Sequence, residues 1–424
     1  MSLEAFKHDM QRCTRCSYCK FIPYETYRRS DFIIGCPSAS RYNFHAYSAG
    51  GKFNMGLSFL AGRIGYSDTF LDALYRCQMD GSCDVSCKAI QDIEPLQLMQ
   101  ELRIRCVADG QTLPAHRPLI EGLRKEDNLM LRSRASRGNW AEGLGARDLT
   151  QEKARVLFFA GCQYSFNEDL WPVARTGFKL LQNAGVEIGI LGRAEICCGG
   201  RAYEMGYADE LKKYAERQSN IWKASGVETV VTPCAHCYQT FKVLYDKIGA
   251  KTNIEVLHIT EYLDRLIKEG KIRLKKHVPL KATYHDPCHL GRLAEPWVHW
   301  NGREKKVLGQ LIVHDPPKKF RRGGGGVYDV PRNVLKGVPG LKLEEMYRIR
   351  SYAWCCGAGG GVKEAYPDFA AWTARERIRE ARAVGAEAIV TACPTCRQNF
   401  VDVLKETGDN LKVLDIVEVV KESV

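Results

Sequence analysis

GVETVVTPCAHCYQTF at residues 226–241 and GAEAIVTACPTCRQNF at residues 385–400 are two copies of one pattern. Each starts at a glycine, runs through a short β-branched stretch and ends around a Cys-x-x-Cys pair, Cys234/Cys237 and Cys393/Cys396. Such a run reads as a strand that delivers its thiols to the carboxyl end of a sheet. The repeat extends upstream: Cys197-Cys198-Gly199 is matched by Cys355-Cys356-Gly357, and a lone cysteine, Cys162 or Cys288, precedes each pair. VLFFA (156–160) and VEIGIL (186–191) add apolar runs, and Val173 to Asn183 has helical spacing that ends at Gly185. This alternation predicts two repeated α/β units with largely parallel sheets, at 151–275 and 276–424. The second carries extra residues near 293–325, basic and aromatic, readable as a surface insertion or as a docking element for a partner subunit.

The N-terminal region has a different texture. Phe53 to Arg76 and Ile93 to Val107 carry apolar residues at helical spacing, so 1–115 is expected to be a helical domain wrapped around cofactors. Residues 116–150 are polar and basic with little pattern, and are expected to be a linker. The chain is thus expected to be an α+β multidomain protein. Cys13-x2-Cys16-x2-Cys19 can wrap one face of a cubane cluster, and in two-cluster ferredoxins the fourth ligand comes from the other motif. Crosswise pairing assigns Cys13, Cys16, Cys19 and Cys87 to one cluster. The other takes Cys36 (followed by Pro37), Cys77 and Cys83, with Asp80 where the pattern asks for cysteine. A carboxylate is a harder ligand than thiolate. Aspartate ligation, a labile iron and a three-iron cluster are the alternatives there, with aspartate ligation favoured.

Eighteen cysteines in 424 residues need a chemical reason. MSLEAFKHDM at the start has no apolar signal region and no stretch approaches a membrane span, so a cytoplasmic location is expected, where disulfides are rare. Metal binding explains the cysteines better. It also explains the formal charge of +12: seventeen thiolates and four cluster cores of about +2 each would bring it to roughly +3, removing the case for nucleic acid. Adjacent cysteines diverge too far to chelate one tetrahedral zinc but can reach different irons of one cluster; a zinc-binding scaffold is the alternative from another class. His285, His289 and His236 sit beside these cysteines and read first as partners of sulfur or backbone, second as proton donors. Cys106 falls on an apolar helical face and is expected to be buried. No G-x-G-x-x-G opens either unit, so electrons must come from a partner.

A lone cysteine, Cys-Cys-Gly and Cys-x-x-Cys, twice over, with YHDPCHLGR (284–292), GVYDVPR (326–332) and CCGAGGG (355–361), resembles the cysteine-rich (CCG) domain of heterodisulfide reductase. With the helical dicluster region in front, the chain resembles the D-type polypeptide of that enzyme, or its C-type and B-type polypeptides fused, over about 1–110 and 151–424. The resemblance implies two ferredoxin-type [4Fe-4S] clusters, the second Asp80-ligated or [3Fe-4S], and a non-cubane [4Fe-4S] cluster on each five-cysteine set. Those sets are Cys162, Cys197, Cys198, Cys234, Cys237 and Cys288, Cys355, Cys356, Cys393, Cys396. It further implies a hetero-oligomer with a flavin-containing heterodisulfide reductase A-like or other oxidoreductase subunit, in which a disulfide is cleaved. Related architectures act as pure electron-relay subunits of dehydrogenases or benzoyl-CoA reductase-type complexes.

Overall fold

The computed structural model describes residues 2–250 and 252–424. Strands β1 (Arg147–Asp148), β2 (Val156–Phe158), β3 (Ile188–Ile190), β4 (Thr229–Thr232) and β5 (Glu255–His258) form one sheet in the order β1-β3-β2-β4-β5, parallel throughout. Strands β6 (Leu280–Tyr284), β9 (Leu341–Leu343), β10 (Ala388–Thr391) and β11 (Lys412–Asp415) form a second parallel sheet, ordered β11-β10-β6-β9. Strands β7 (Arg303–Val307) and β8 (Leu311–Asp315) pair with each other as an antiparallel hairpin within the 293–325 segment.

The central strands β2, β4 and β10 are buried on both faces, as β-branched parallel strands covered by helices are. Val230, Val231, Ile389 and Val390 are fully buried. Helices Trp171–Asn183 and Ile416–Ser423 pack together, as do Ile259–Lys268 and Asp329–Lys336, so one core runs through both units. Phe158, Phe178 and Trp140 meet edge-on or tilted at its centre. The units also end alike. His258 and Asp415 cap the final helices, each in a reciprocal box with the glutamate three residues on, Glu261 and Glu418.

In both sheets the chain winds outward in two directions from a central pair, β2/β4 in one and β6/β10 in the other. At such a switch the following loops diverge and leave a crevice at the carboxyl ends. Cys162 and Cys288 follow the first strand of each pair, and the two Cys-x-x-Cys motifs follow the second.

Residues 116–150, expected to be a linker, are folded into the first unit. Arg117–Glu126 is a helix, β1 is a sheet strand, and Trp140 and Arg137 are buried. The polar composition misled because Arg137 is spent on an internal ion pair. The N-terminal region consists of short helices, the longest being Ala49–Leu60 and Pro95–Ala108. Cys106 is buried there among Leu98, Leu102 and Phe53. This region packs on the second unit: Phe32 stacks on Tyr347 at 5.0 Å and Gln78 Nε2 donates to Thr373 Oγ1 at 3.1 Å.

Candidate metal centres

Gly161 begins the first crevice. Its φ of +75° turns the chain sharply after β2, and a Cβ there would lie 2.9 Å from Cys237 Sγ. Only glycine lets the loop come this close to the Cys-x-x-Cys. Arg137 Nη2 donates to Cys162 Sγ at 3.2 Å while its Nη1 pairs with Glu195 at 2.8 Å. Glu195 also accepts from the backbone N–H groups of Ala160 and Gly161. The lone thiol therefore faces a fixed cation that is itself anchored. Cys197 Sγ accepts from the N–H of Gly199 at 3.4 Å.

The five thiols neighbour one another in the order Cys162, Cys197, Cys198, Cys237, Cys234. Bonds from Cys197 and Cys237 bring Cys198 down to about 5, whereas Cys162, bonded to Cys197 and buried, is pushed well up. The second unit repeats the order: Cys288–Cys355–Cys356–Cys396–Cys393. Its Cys356 lies far below the ordinary thiol range, held by Cys355 and Cys396, with the His285 imidazole beside it. Arg377 Nε meets His285 Nδ1 at 3.2 Å, which leaves Nε2 to face Cys356. His285, Cys356 and Cys396 present ligand atoms within 4.8 Å of one another.

All eighteen cysteines are free. Two further thiol groups form in the N-terminal region. Burial raises Cys19, whose neighbours include Cys13 and Cys16, and burial raises Cys87 to about 12 with Cys19 beside it. Burial likewise raises Cys36 to about 12, close to Cys77 and Asp80, and Cys83 sits with Cys77, Cys36 and Asp80. Asp80 is not idle. Its Oδ2 accepts from Arg292 Nη2 at 2.8 Å, its Oδ1 from the Ser82 N–H, and its carbonyl from Arg292 Nε.

Four thiol groups with no disulfide, drawn together in buried surroundings that penalise their anions, suit a soft multinuclear metal centre. The order of the thiols within each five-cysteine set, with the adjacent pair in the middle, suits a cluster better than a single ion.

Some working residues carry no sequence signal. Glu204 bridges the two five-cysteine sets. Its Oε1 meets His289 Nε2 at 2.6 Å, its Oε2 accepts from the Gly360 N–H at 3.1 Å, and His236 Nε2 lies 3.7 Å away. His289 Nδ1 in turn meets Cys288 Sγ at 3.2 Å, and the His236 and His289 rings stack at 4.0 Å. Burial opposes the Glu204 carboxylate, yet His236 and His289 hold it down to about 2. His289, despite burial, is lifted well above the usual range by Cys288 and Glu204. It is an imidazolium between two anions, whereas burial pushes His236 down to about 3. Arg103, fully buried, donates to the carbonyls of Leu74, Tyr75, Cys77, Glu204 and Gly360, joining all three parts of the chain.

The surroundings of the two sets differ. The first lines a small cavity of about 30 Å³ with Leu129, Met130, Arg201 and Thr395. A neighbouring open cleft shares those four residues and adds Leu131, Lys363 and Gln398 at the surface. The second set lies under the N-terminal region, where Arg292 reaches Asp80 and Gly360 packs on Cys77 and Gln78.

The cysteine-rich domain (CCG) family matches residues 156–242 and 282–401. The D-type polypeptide of the dihydromethanophenazine:CoB–CoM heterodisulfide reductase of Methanosarcina mazei is 30% identical over 362 residues, 84% of this chain and 79% of the relative. The EtfAB:quinone oxidoreductase of Syntrophomonas wolfei is 31% identical over 300 residues, 67% of this chain and 37% of the relative. A crystal structure of a hypothetical protein from Helicobacter pylori, 10% identical, superimposes with a TM-score of 0.52 over 89% of this chain and 67% of that one, a likeness of fold alone.

Proposed function

The chain belongs to the family of heterodisulfide reductase D-type polypeptides, and from that premise we propose that it is the iron–sulfur subunit of a multi-subunit oxidoreductase that reduces a disulfide at its first five-cysteine set. Cys13, Cys16, Cys19 and Cys87 hold one ferredoxin-type four-iron cluster. Cys36, Cys77 and Cys83 hold a second, and the pairing of Asp80 with Arg292 favours the three-iron alternative over aspartate ligation. Each five-cysteine set holds a non-cubane four-iron cluster. Bound there, the clusters supply one-electron storage and, in the five-cysteine sets, iron with an affinity for sulfur.

The observation that carries this reading is the small cavity at Cys162, Cys197, Cys198, Cys234 and Cys237 together with the cleft that adjoins it. The four thiol groups also follow one another in contact. Cys19, Cys77 and Cys288 pack on one apolar cluster with Met79, Leu96 and Leu293, and Cys288 leads through His289 and Glu204 to His236 of the first set. A flavin-containing partner is the proposed electron donor at the N-terminal end.

Reduction of R–S–S–R′ takes two electrons and two protons and yields two thiols. Leu129 and Met130 exclude water from the sulfur atoms, while the cations at the cleft, Arg201 and Lys363, are each held by a carboxylate, Glu364 and Asp402. His289 and Glu204 hold a proton between the two sets. A second reading, pure electron relay with no substrate at the first set, is favoured by the similarity to an EtfAB:quinone oxidoreductase.

Purification without oxygen, followed by iron and sulfide analysis, tests the centres. About fifteen or sixteen irons per chain are expected, and about eight would remove the five-cysteine clusters. Turnover of the coenzyme M–coenzyme B heterodisulfide with a reduced viologen then separates the readings: no turnover of this or any other disulfide leaves relay alone.

A further inference from the structure

We propose that the β7/β8 hairpin seats the protein on a membrane surface containing anionic lipid, its tip lying among the acyl chains and its cationic collar at the phosphates. The proposal stands independently of the reaction assigned above.

The tip is apolar and open. Leu308 is 93% exposed and Leu311 60%, and Val307, Ile312 and Val313 are each exposed by 40% or more. Soluble proteins seldom leave five contiguous aliphatic side chains in water. Lys306 stands across from Ile312 and Lys305 across from Val313, so Val307, Leu308 and Leu311 are the aliphatic residues that lie beyond the last cations. Below the tip the charge turns strongly basic: residues 298–322 hold seven lysines and arginines against Glu304 and Asp315. Asp315 is taken by Lys305, and Glu304 lies 3.6 Å from His314. Arg303, Lys306, Lys319 and Arg322 are exposed, with no carboxylate partner among the described residues.

The root is fixed. Trp300 Nε1 donates to the Pro316 carbonyl at 2.9 Å, and its ring meets His314 edge-on at 5.0 Å. Arg321 is buried on Asp84 at 2.6 Å, Lys318 pairs with Asp92, and Trp297 lies against Phe6. An isolated two-stranded ribbon is only marginally stable in water, and this one is held at its base while its tip is left unsupported. The anchoring residues flank Cys87, so whatever the tip touches lies on the side of the molecule that carries the N-terminal thiols.

The gradient of polarity selects the occupant. An acidic protein face would answer the cations but press charge onto Leu308 and Leu311. A second copy of the chain would oppose collar to collar. A bilayer interface offers both partners at the right depths, phosphate above and hydrocarbon below. The Val307–Leu311 pair and the turn beyond it reach roughly 5–7 Å past Lys306, within the depth to which interfacial segments sink. Cationic residues near such a surface add attraction that salt screens. No helix among the described residues is long and apolar enough to cross a membrane, so this contact would be peripheral.

Flotation of the intact, iron-loaded chain with vesicles tests the proposal. Vesicles of phosphatidylcholine and phosphatidylglycerol at 7:3 should carry the protein upward, and pure phosphatidylcholine vesicles should carry at least tenfold less. Leu308→Asp combined with Ile312→Asp should lower partition to the anionic vesicles about tenfold or more with iron content and near-ultraviolet dichroism unchanged. Lys306→Glu with Lys319→Glu should lower it by several-fold and flatten its salt dependence. Failure of the wild type to float with anionic vesicles overturns the proposal, as does undiminished flotation of the tip variant. Two further outcomes also overturn it: a concentration-dependent dimer abolished by the tip variant, and salt-sensitive binding to a reduced acidic ferredoxin in place of vesicles.

Discussion

The two five-cysteine units share a sheet topology, a thiol order and a capping scheme, yet they treat their lone cysteines differently. In the first, Gly161 turns the chain in a left-handed conformation and Arg137 presses a permanent cation onto Cys162. In the second, Pro287 stands at the equivalent position and His289, a titratable cation, sits beside Cys288. The first opens through the 129–131 loop towards solvent, and the second is covered by Gln78, Asp80 and Arg292. One duplicated scaffold thus gives a set beside an open cleft and a covered one, and what separates them is the neighbour each unit acquired rather than its own cysteines.

The largest predicted effect comes from the residue that joins the compared regions. Arg103→Met would leave five buried carbonyls short of a donor and should cost about 3–5 kcal/mol in urea unfolding. Arg103→Lys should rescue little of it, because one ammonium cannot span acceptors in both units and the N-terminal region. A loss confined to one unit would break the idea of a shared junction.

The next effect is a pH dependence seated at the second unit. His116 bonds the Gly361 carbonyl through Nε2 at 2.9 Å, and burial brings it down to about 4. Its folded value lies below its unfolded value of 6.5, so its contribution is present above pH 6.5 and is lost as the pH falls towards 4. The loss approaches about 3 kcal/mol at the acid end. His116→Gln should flatten the unfolding free energy over that window; an unchanged slope would assign the acid sensitivity elsewhere.

The smallest effect sharpens the difference at the lone cysteines. Gly161→Ala should cost about 1–2 kcal/mol for the left-handed backbone alone. It should also displace Cys237, lowering iron bound at the first set while the second set keeps its own. Equal loss from both sets would contradict the local account.

The fold was largely legible because the central strands β4 and β10 are buried and written in β-branched residues just before Cys-x-x-Cys. The duplicated Cys-Cys-Gly marked the second copy. The N-terminal cysteines divide crosswise in the structure, with Cys87 beside Cys19 and Cys36 beside Cys77 and Cys83. What escaped was non-local. Arg103, Arg137 and Glu204 belong to no motif, Arg292 ends one without showing its partner, and the partners of the four lie 10 to 257 residues away. For the same reason residues 116–150 read as a linker, although Arg137 within them is fully committed to Glu195 and Cys162. Asp80 was visible as a departure from the ferredoxin pattern, but its bond to Arg292 was not.

The central claim is that the first five-cysteine set, and not the second, receives substrate. Its most direct test is the electron paramagnetic resonance of the oxidised, iron-loaded chain with and without a small anionic thiol such as 2-mercaptoethanesulfonate. The comparison takes in the wild type, Cys198→Ser and Cys356→Ser. The account predicts a thiol-dependent signal in the wild type that survives in Cys356→Ser and disappears in Cys198→Ser. A signal that survives in Cys198→Ser and disappears in Cys356→Ser would contradict it.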